Sequence, residues 1–308
     1  MTVVTLVVPI FGVLALGYVL RKTAFIDGGF PGQLNRLVYY IALPALLFTK
    51  TAAVEPGELL RAPLLLGLPL VVGIMGLLAG LLAQLWLGRA QRGAFVQASF
   101  RANLAYLGLP IVISAYGDAA AGPAAVVVAV GTIINTVASI AVLRLFSQED
   151  TRAASRLAAI LRNPLVISIA LGLVTAAIGV PLPGVVRDTL DLVARMSLPA
   201  ILLVAGFSLS FRNIRANLSI AIVASTLKLI VMPAVAWLLV SLLFDVPPIT
   251  VNVIVLMTAM PTAIIAQSFA RSFDGDERMT AGVVSLDTLL AMVTVPVTIF
   301  FLQTISNI

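Results

Sequence analysis

The sequence predicts an all-α polytopic membrane protein with ten transmembrane helices, arranged as two inverted five-helix repeats. Three observations predict it: an apolar composition cut into span-length stretches, basic residues gathered on one side, and motifs that recur at a nearly constant offset. Of the 308 residues, 61% are hydrophobic and 10% charged, with a mean hydropathy of +1.13. Soluble domains hold roughly 45–50% apolar and about 25% charged residues, so lipid is the expected solvent. Cysteine and histidine are absent, which excludes disulfides, thiolate chemistry, Cys/His zinc sites and the usual near-neutral proton shuttle. No cofactor is expected. The formal charge of +6 would suit nucleic acid in a soluble protein. In a membrane protein basic residues mark cytoplasmic loops instead, so no nucleic-acid partner is expected.

Crossing the hydrocarbon core takes ~20 predominantly apolar residues. The predicted spans are 3–20, 34–51, 62–87, 94–116, 122–146, 164–181, 190–210, 217–243, 249–271 and 279–303. No basic residue precedes the first and no small-residue cleavage site follows it, so it reads as a retained helix rather than a signal peptide. The second and seventh hold Leu43-Pro44-Ala45 and Leu198-Pro199-Ala200, and both prolines are read as kinks. The third and eighth open on Arg61-Ala62 and Arg215-Ala216, and the eighth carries Lys228. The fourth and ninth carry Gly108-Leu109-Pro110 and Met260-Pro261-Thr262 at mid-span. Asn135-Thr136 lies in the fifth and Asp287-Thr288 in the tenth. Between the fifth and sixth, 147–162 holds Glu149 and Asp150 among its arginines and reads as a solvated connector between the halves.

With the N-terminus outside, the links after the odd-numbered spans and their helix ends hold fourteen of the nineteen Lys and Arg residues, the opposite side four, and Lys228 lies within a span. This bias predicts that both termini are periplasmic and the connector cytoplasmic. Shifting the chain by 155 residues superposes Pro9 on Pro164, Ala15-Leu16-Gly17 on Ala170-Leu171-Gly172, and Leu43-Pro44-Ala45 on Leu198-Pro199-Ala200. Shifts of 154 and 151 superpose Arg61-Ala62 on Arg215-Ala216 and Pro110 on Pro261. Five spans per repeat is an odd number, so the halves face opposite ways. Inverted repeats are the architecture of many secondary transporters, because two like halves of opposite orientation supply two near-equivalent packings.

Proline inside a helix removes a hydrogen bond and clashes with the preceding turn, and in lipid the freed groups must find partners. Interrupted helices at matching places in two halves point to a transporter's binding site, since half-helix N-termini offer amides and a positive dipole end to an anion. The expected breaks are Gly108-Leu109-Pro110 and Met260-Pro261-Thr262, near the bilayer midplane. The candidate substrate-binding residues are Asn103, Tyr106, Gly108, Pro110, Met260, Pro261, Thr262 and Gln267. Arg101 could bind a carboxylate bidentately, but so early in its span it reads as a cytoplasmic anchor.

Four segments carry a resemblance to the auxin efflux carrier family, over essentially the whole chain. They are Asn103-Leu-Ala-Tyr-Leu-Gly-Leu-Pro110, Ala259-Met-Pro-Thr262, Asn163-Pro164-Leu165 and Leu43-Pro44-Ala45-Leu46. The resemblance implies a scaffold and dimerisation domain of 1–60 and 163–212, a transport domain of 61–146 and 213–308, and a homodimer. It also implies crossover prolines at Pro110 and Pro261, a substrate-facing Asn103, and elevator-type movement of a small organic anion, malonate-like or auxin-like, across a bacterial inner membrane. The long cytoplasmic loop of the plant carriers is missing, and no feature singles out auxin.

Ionisable groups inside spans are costly and usually functional. Lys228 and Asp287 are such groups, and the repeat superposes Asp287 on the neutral Asn135. A buried Lys228–Asp287 pair near the crossover, with Asp287 taking up a proton, is the candidate coupling device, set against a permanently charged structural pair or a lysine that snorkels to an interface. Sodium held by carbonyls of an unwound helix is the alternative. The competing functions are a bile-acid-carrier-like or cation/proton-antiporter-like carrier, and a receptor that binds without transport. An enzyme is not expected, for want of His, Cys or an acidic cluster within the spans.

Overall fold

The computed structural model describes residues 3–23, 25–53, 62–147, 164–179, 182–209 and 211–306. Apart from Ser147 the connector lies outside these residues, as do Arg61 and Asn163. Among the described residues every regular element is helical. The first half holds α1 (Val3–Lys22), α2 (Phe30–Leu37), α3 (Leu43–Ala52), α4 (Ala62–Trp86), α5 (Arg89–Phe100), α6 (Leu109–Tyr116) and α7 (Ala121–Phe146). The second holds α8 (Pro164–Ile178), α9 (Gly184–Arg195), α10 (Ser197–Ser208), α11 (Phe211–Ala216), α12 (Leu218–Thr226), α13 (Met232–Leu243), α14 (Pro248–Thr258), α15 (Ile265–Ser272) and α16 (Glu277–Ser306).

A helix satisfies its backbone groups internally, which is why these apolar stretches fold as helices in lipid. Five helical segments of the described residues are long and apolar enough to cross a membrane: Leu65–Trp86, Asp118–Phe146, Gly184–Ser208, Leu218–Leu243 and Glu277–Ser306. Leu104–Tyr116, Pro164–Ile178 and Pro248–Thr258 are shorter apolar helices. Leu77, Leu81, Leu85, Leu242, Val293 and Phe300 are all exposed, an apolar outer surface of a kind that water-soluble monomers avoid.

Hydrogen bonds sort the helix ends into two groups. At one end Arg21 Nη1 donates to the carbonyls of Phe207 and Leu209 at 2.8 and 2.7 Å, and the Asp276 amide donates to Ala90 O at 3.1 Å. Gly282 near the start of α16 packs on the Asn213 backbone of α11, joining these links at one face. At the other, Lys50 meets Asp118 at 2.9 Å, and Ser306 Oγ donates to Asn252 Oδ1 at 3.0 Å.

Three prolines share one local device. Pro44, Pro110 and Pro233 each stand in the first turn of a helix, directly after π-helical turns Val38–Ala42, Leu104–Gly108 and Leu227–Val231. In each case the residue before the proline bonds five residues back, as Leu109 N does to Leu104 O. A proline in regular helix has no amide for the carbonyl four residues earlier and collides with it. Widening the preceding turn relieves the clash, and such π turns gather at functional sites. Here they carry Tyr39 and Tyr40, Tyr106, and Lys228.

Close crossings are made by small residues. A Cβ added to Gly206 in α10 would collide with Leu14 O of α1, and one on Gly17 with Leu203 O. Backbones approach this closely in membranes only where side chains are absent.

Candidate binding site at the helix crossing

Two helices stop inside the protein and restart. Helix α5 ends at Phe100, Arg101 and Asn103 adopt non-helical ψ values of 82° and 69°, and the chain re-enters helix at Leu104. Helix α14 ends at Thr258 and α15 begins at Ile265. The non-helical segments cross and pair as a single antiparallel bridge, Ala102 with Thr262. Asn103 N donates to Pro261 O and Ala263 N to Arg101 O, both at 2.9 Å.

The freed carbonyls at the two helix ends also find donors. Thr262 Oγ1 donates to Ala98 O at 2.6 Å, and Lys228 Nζ to Thr258 O at 2.5 Å. Buried helix termini need such partners, because the last turn leaves its carbonyls without amides.

The break at Pro261 lies where the sequence predicts it. The other does not: the chain opens at residues 101–103, and Pro110 lies in the first turn of α6. At that position a proline forfeits no needed amide, so it ends no helix. The break is made by pairing with 261–263.

Beside the crossing lies a cavity of about 730 Å³. Residues 102–106 and 263–265, the starts of both half-helices, border it, and no Asp or Glu does so among the described residues. At a helix start the first amides have no intrahelical acceptor and the dipole is positive. Both ends thus favour negative charge in the cavity. The lining extends to Arg36 and Ser272.

Asn103, Tyr106 and Asn135 line this space. The Asn103 side chain is 7% exposed and caps no helix. Tyr106 donates its hydroxyl to Asn35 Oδ1 at 3.2 Å, while Asn135 Oδ1 is buried without a partner. Gly108, Pro110, Met260, Pro261, Thr262 and Gln267 do not line it. Gly108 lets the turn pack on α14, since a Cβ there would lie 2.5 Å from Met257 Sδ. Met260 is fully buried, and Thr262 is 1% exposed.

Arg101 corrects the sequence reading. It is 5% exposed and lines the cavity, because the break falls directly after α5 and turns the residue inward. Nη1 donates to Asn135 O at 2.8 Å and to Ser139 Oγ at 2.6 Å, and the guanidinium carbon lies 4.2 Å from the Phe269 ring centre. Tyr39 and Phe269 are further lining residues that apolar patterning alone does not separate from core.

Lys228 and Asp287 are both fully buried, but they form no ion pair within 4 Å. The ammonium is drawn to the end of α14. The carboxylate turns to Thr262, accepting from its amide at 3.2 Å and lying 2.5 Å from its Oγ1, whose single proton it shares with Ala98 O. Asp287 and Asn135 nonetheless stand at related places. Each touches the break of its own half, Asp287 at Thr262 and Asn135 at Arg101.

Comparison with known proteins bears on this arrangement. The family described as "Membrane transport protein" matches residues 2–299. A protein of Rhizobium meliloti named "Putative malonate transporter" is 26% identical over 301 residues, 94% of this chain and 92% of its own. An uncharacterized transporter of Methanothermobacter thermautotrophicus is 26% identical over 295 residues, 94% of this chain and 95% of its own. An uncharacterized transporter of Escherichia coli is 26% identical over 312 residues, 97% of either chain.

Proposed function

The chain belongs to the membrane transport protein family, that of the auxin efflux carriers, and from that premise we propose that it is a secondary transporter for a small organic carboxylate. It is a multi-pass membrane transporter and not an enzyme. The proposal concerns what it carries and how. The observation that carries it is the crossing itself: two interrupted helices stitched together by main-chain bonds, with both half-helix starts on a cavity that no carboxylate of the described residues lines.

Ten helices in two inverted five-helix repeats of opposite orientation, both termini periplasmic in a bacterial inner membrane, form the framework of this reading. The sorting of helix ends into two groups supports it. So does the close packing of α1 along α10 and of α3 along α8, beside a second closely packed group of α4, α5 and α7. The first set is the scaffold and homodimerisation domain (1–60 and 163–212). The transport domain (61–146 and 213–308) carries the crossing as one body in an elevator movement. The cavity, bordered by Arg36 and Ser272, opens to the arginine-rich cytoplasmic side.

Within the site, Asn103 and the half-helix amides hold the carboxylate. Asp287, one shell behind at Thr262, exchanges the coupling proton. The malonate in the name of the Rhizobium relative favours a short acid over auxin.

Thermal-shift titration of purified protein with malonate, succinate and indole-3-acetate tests the reading, since a ligand that binds the folded state raises its apparent stability. Malonate is expected to stabilise wild type and to lose that effect in Asn103→Ala. Intact protein that responds to none of the acids at millimolar concentration would falsify the carboxylate assignment.

A further inference from the structure

We infer that Arg101 is the charge partner of the substrate carboxylate and the residue that separates an acid from its uncharged amide. This rests on the carboxylate reading above and adds to it a residue that the helix-dipole argument does not require.

A guanidinium has five N–H donors in a rigid fork. In Arg101 one nitrogen, Nη1, is committed to α7, through Asn135 O and Ser139 Oγ. Phe269 lies against the guanidinium. These contacts fix its orientation. Among the described residues Nε and Nη2 have no hydrogen-bond partner, and neither is sealed from the cavity. The side chain is nearly buried, yet no Asp or Glu of the described residues lines the cavity to balance it.

A buried charge without a counter-charge is costly. The arrangement is explicable if the counter-charge arrives with the ligand. Nε and Nη2 present parallel N–H groups on one edge of the fork, the geometry that engages both oxygens of a carboxylate. Neutral partners hold the arginine without consuming its charge, as a carboxylate partner would. Asn103, two residues on, lines the same space and is placed to bond a further oxygen. An amide in place of the carboxylate would still accept one N–H at its carbonyl oxygen, but would set its NH2 against the other and leave the guanidinium without a counter-charge.

Binding of malonate and of its uncharged diamide to purified protein, by calorimetry, tests this with Arg101→Gln, Arg101→Lys and Ser139→Ala. Wild type is expected to bind malonate and reject the diamide. Arg101→Gln should lose at least ~30-fold in malonate affinity, the scale for truncating one member of a buried charge pair, and should lose its preference for the acid. Arg101→Lys, charged but without the fork, should fall between the two. Ser139→Ala loosens the guanidinium while leaving it in place, and should weaken malonate binding several-fold; it decides the matter should Arg101→Gln fail to fold. Folded Arg101→Gln with malonate affinity within threefold of wild type, or Ser139→Ala with unchanged affinity, overturns the inference. Asn103→Ala sensitivity persisting in that case leaves the carboxylate reading standing. A wild type that binds no acid overturns both.

Discussion

Thr262 is the hinge pin of the second break, and Thr262→Val removes its hydroxyl while conserving its shape. The hydroxyl has two buried acceptors within reach of its single proton, Ala98 O at 2.6 Å and Asp287 Oδ2 at 2.5 Å. Losing a hydrogen bond to a charged group costs about 1.5–3 kcal/mol, and leaving a buried carbonyl unsatisfied about 1–3 kcal/mol. Together they come to roughly 2.5–6 kcal/mol, with little cavity term because valine fills the space. At roughly 2–4 °C per kcal/mol, that is a fall of about 5–24 °C in apparent Tm. Thermal unfolding of detergent-solubilised protein measures it. Thr262→Ser keeps the oxygen and should recover most of the loss. A valine variant within ~2 °C of wild type would refute the reasoning, because the break would then be held by main-chain pairing alone.

In Asp287→Asn, ion-driven uptake by proteoliposomes should lose its pH dependence, and retained wild-type rate and pH profile would remove Asp287 from coupling. Gly206→Val should abolish folded protein in size-exclusion profiles, since its side chain would meet the α1 backbone, whereas Gly76→Ala, with open space around it, should behave as wild type. The Lys50–Asp118 ion pair at 2.9 Å has its carboxylate side chain 88% exposed and contributes below about 0.5 kcal/mol; Asp118→Asn should leave the thermal melt within ~2 °C of wild type.

Among the described residues each predicted apolar stretch falls on helix apart from the two breaks, because span-length runs without polar relief have no other way to satisfy their backbones. The break at Pro261 was legible for the same reason that any mid-span proline is. That at residues 101–103 was not: it contains no proline or glycine, and it exists because a segment some 160 positions away supplies its partners. Pro110 misled because a proline's effect depends on the turn before it, and the π turn at Leu104–Gly108 is not visible in composition. Arg101 was misread by a rule about where arginines gather, which describes loops and is silent on an arginine turned inward at a break. Lys228 and Asp287 were rightly singled out as buried charges, but sequence spacing carries no information about side-chain direction, and each binds a different end of the broken helix.

The bridge between Ala102 and Thr262 has an evolutionary consequence. Its two bonds join main-chain atoms, so they constrain shape while leaving most side-chain identities open. Residues around the crossing can drift, retuning which solute is accepted, without dismantling the frame that presents them. Only proline at 103 or 263 is barred outright, since each of these positions lends its amide to the opposite strand. Selectivity in such a protein is thus cheap to alter, and the crossing is where new specificities would be sought by mutagenesis.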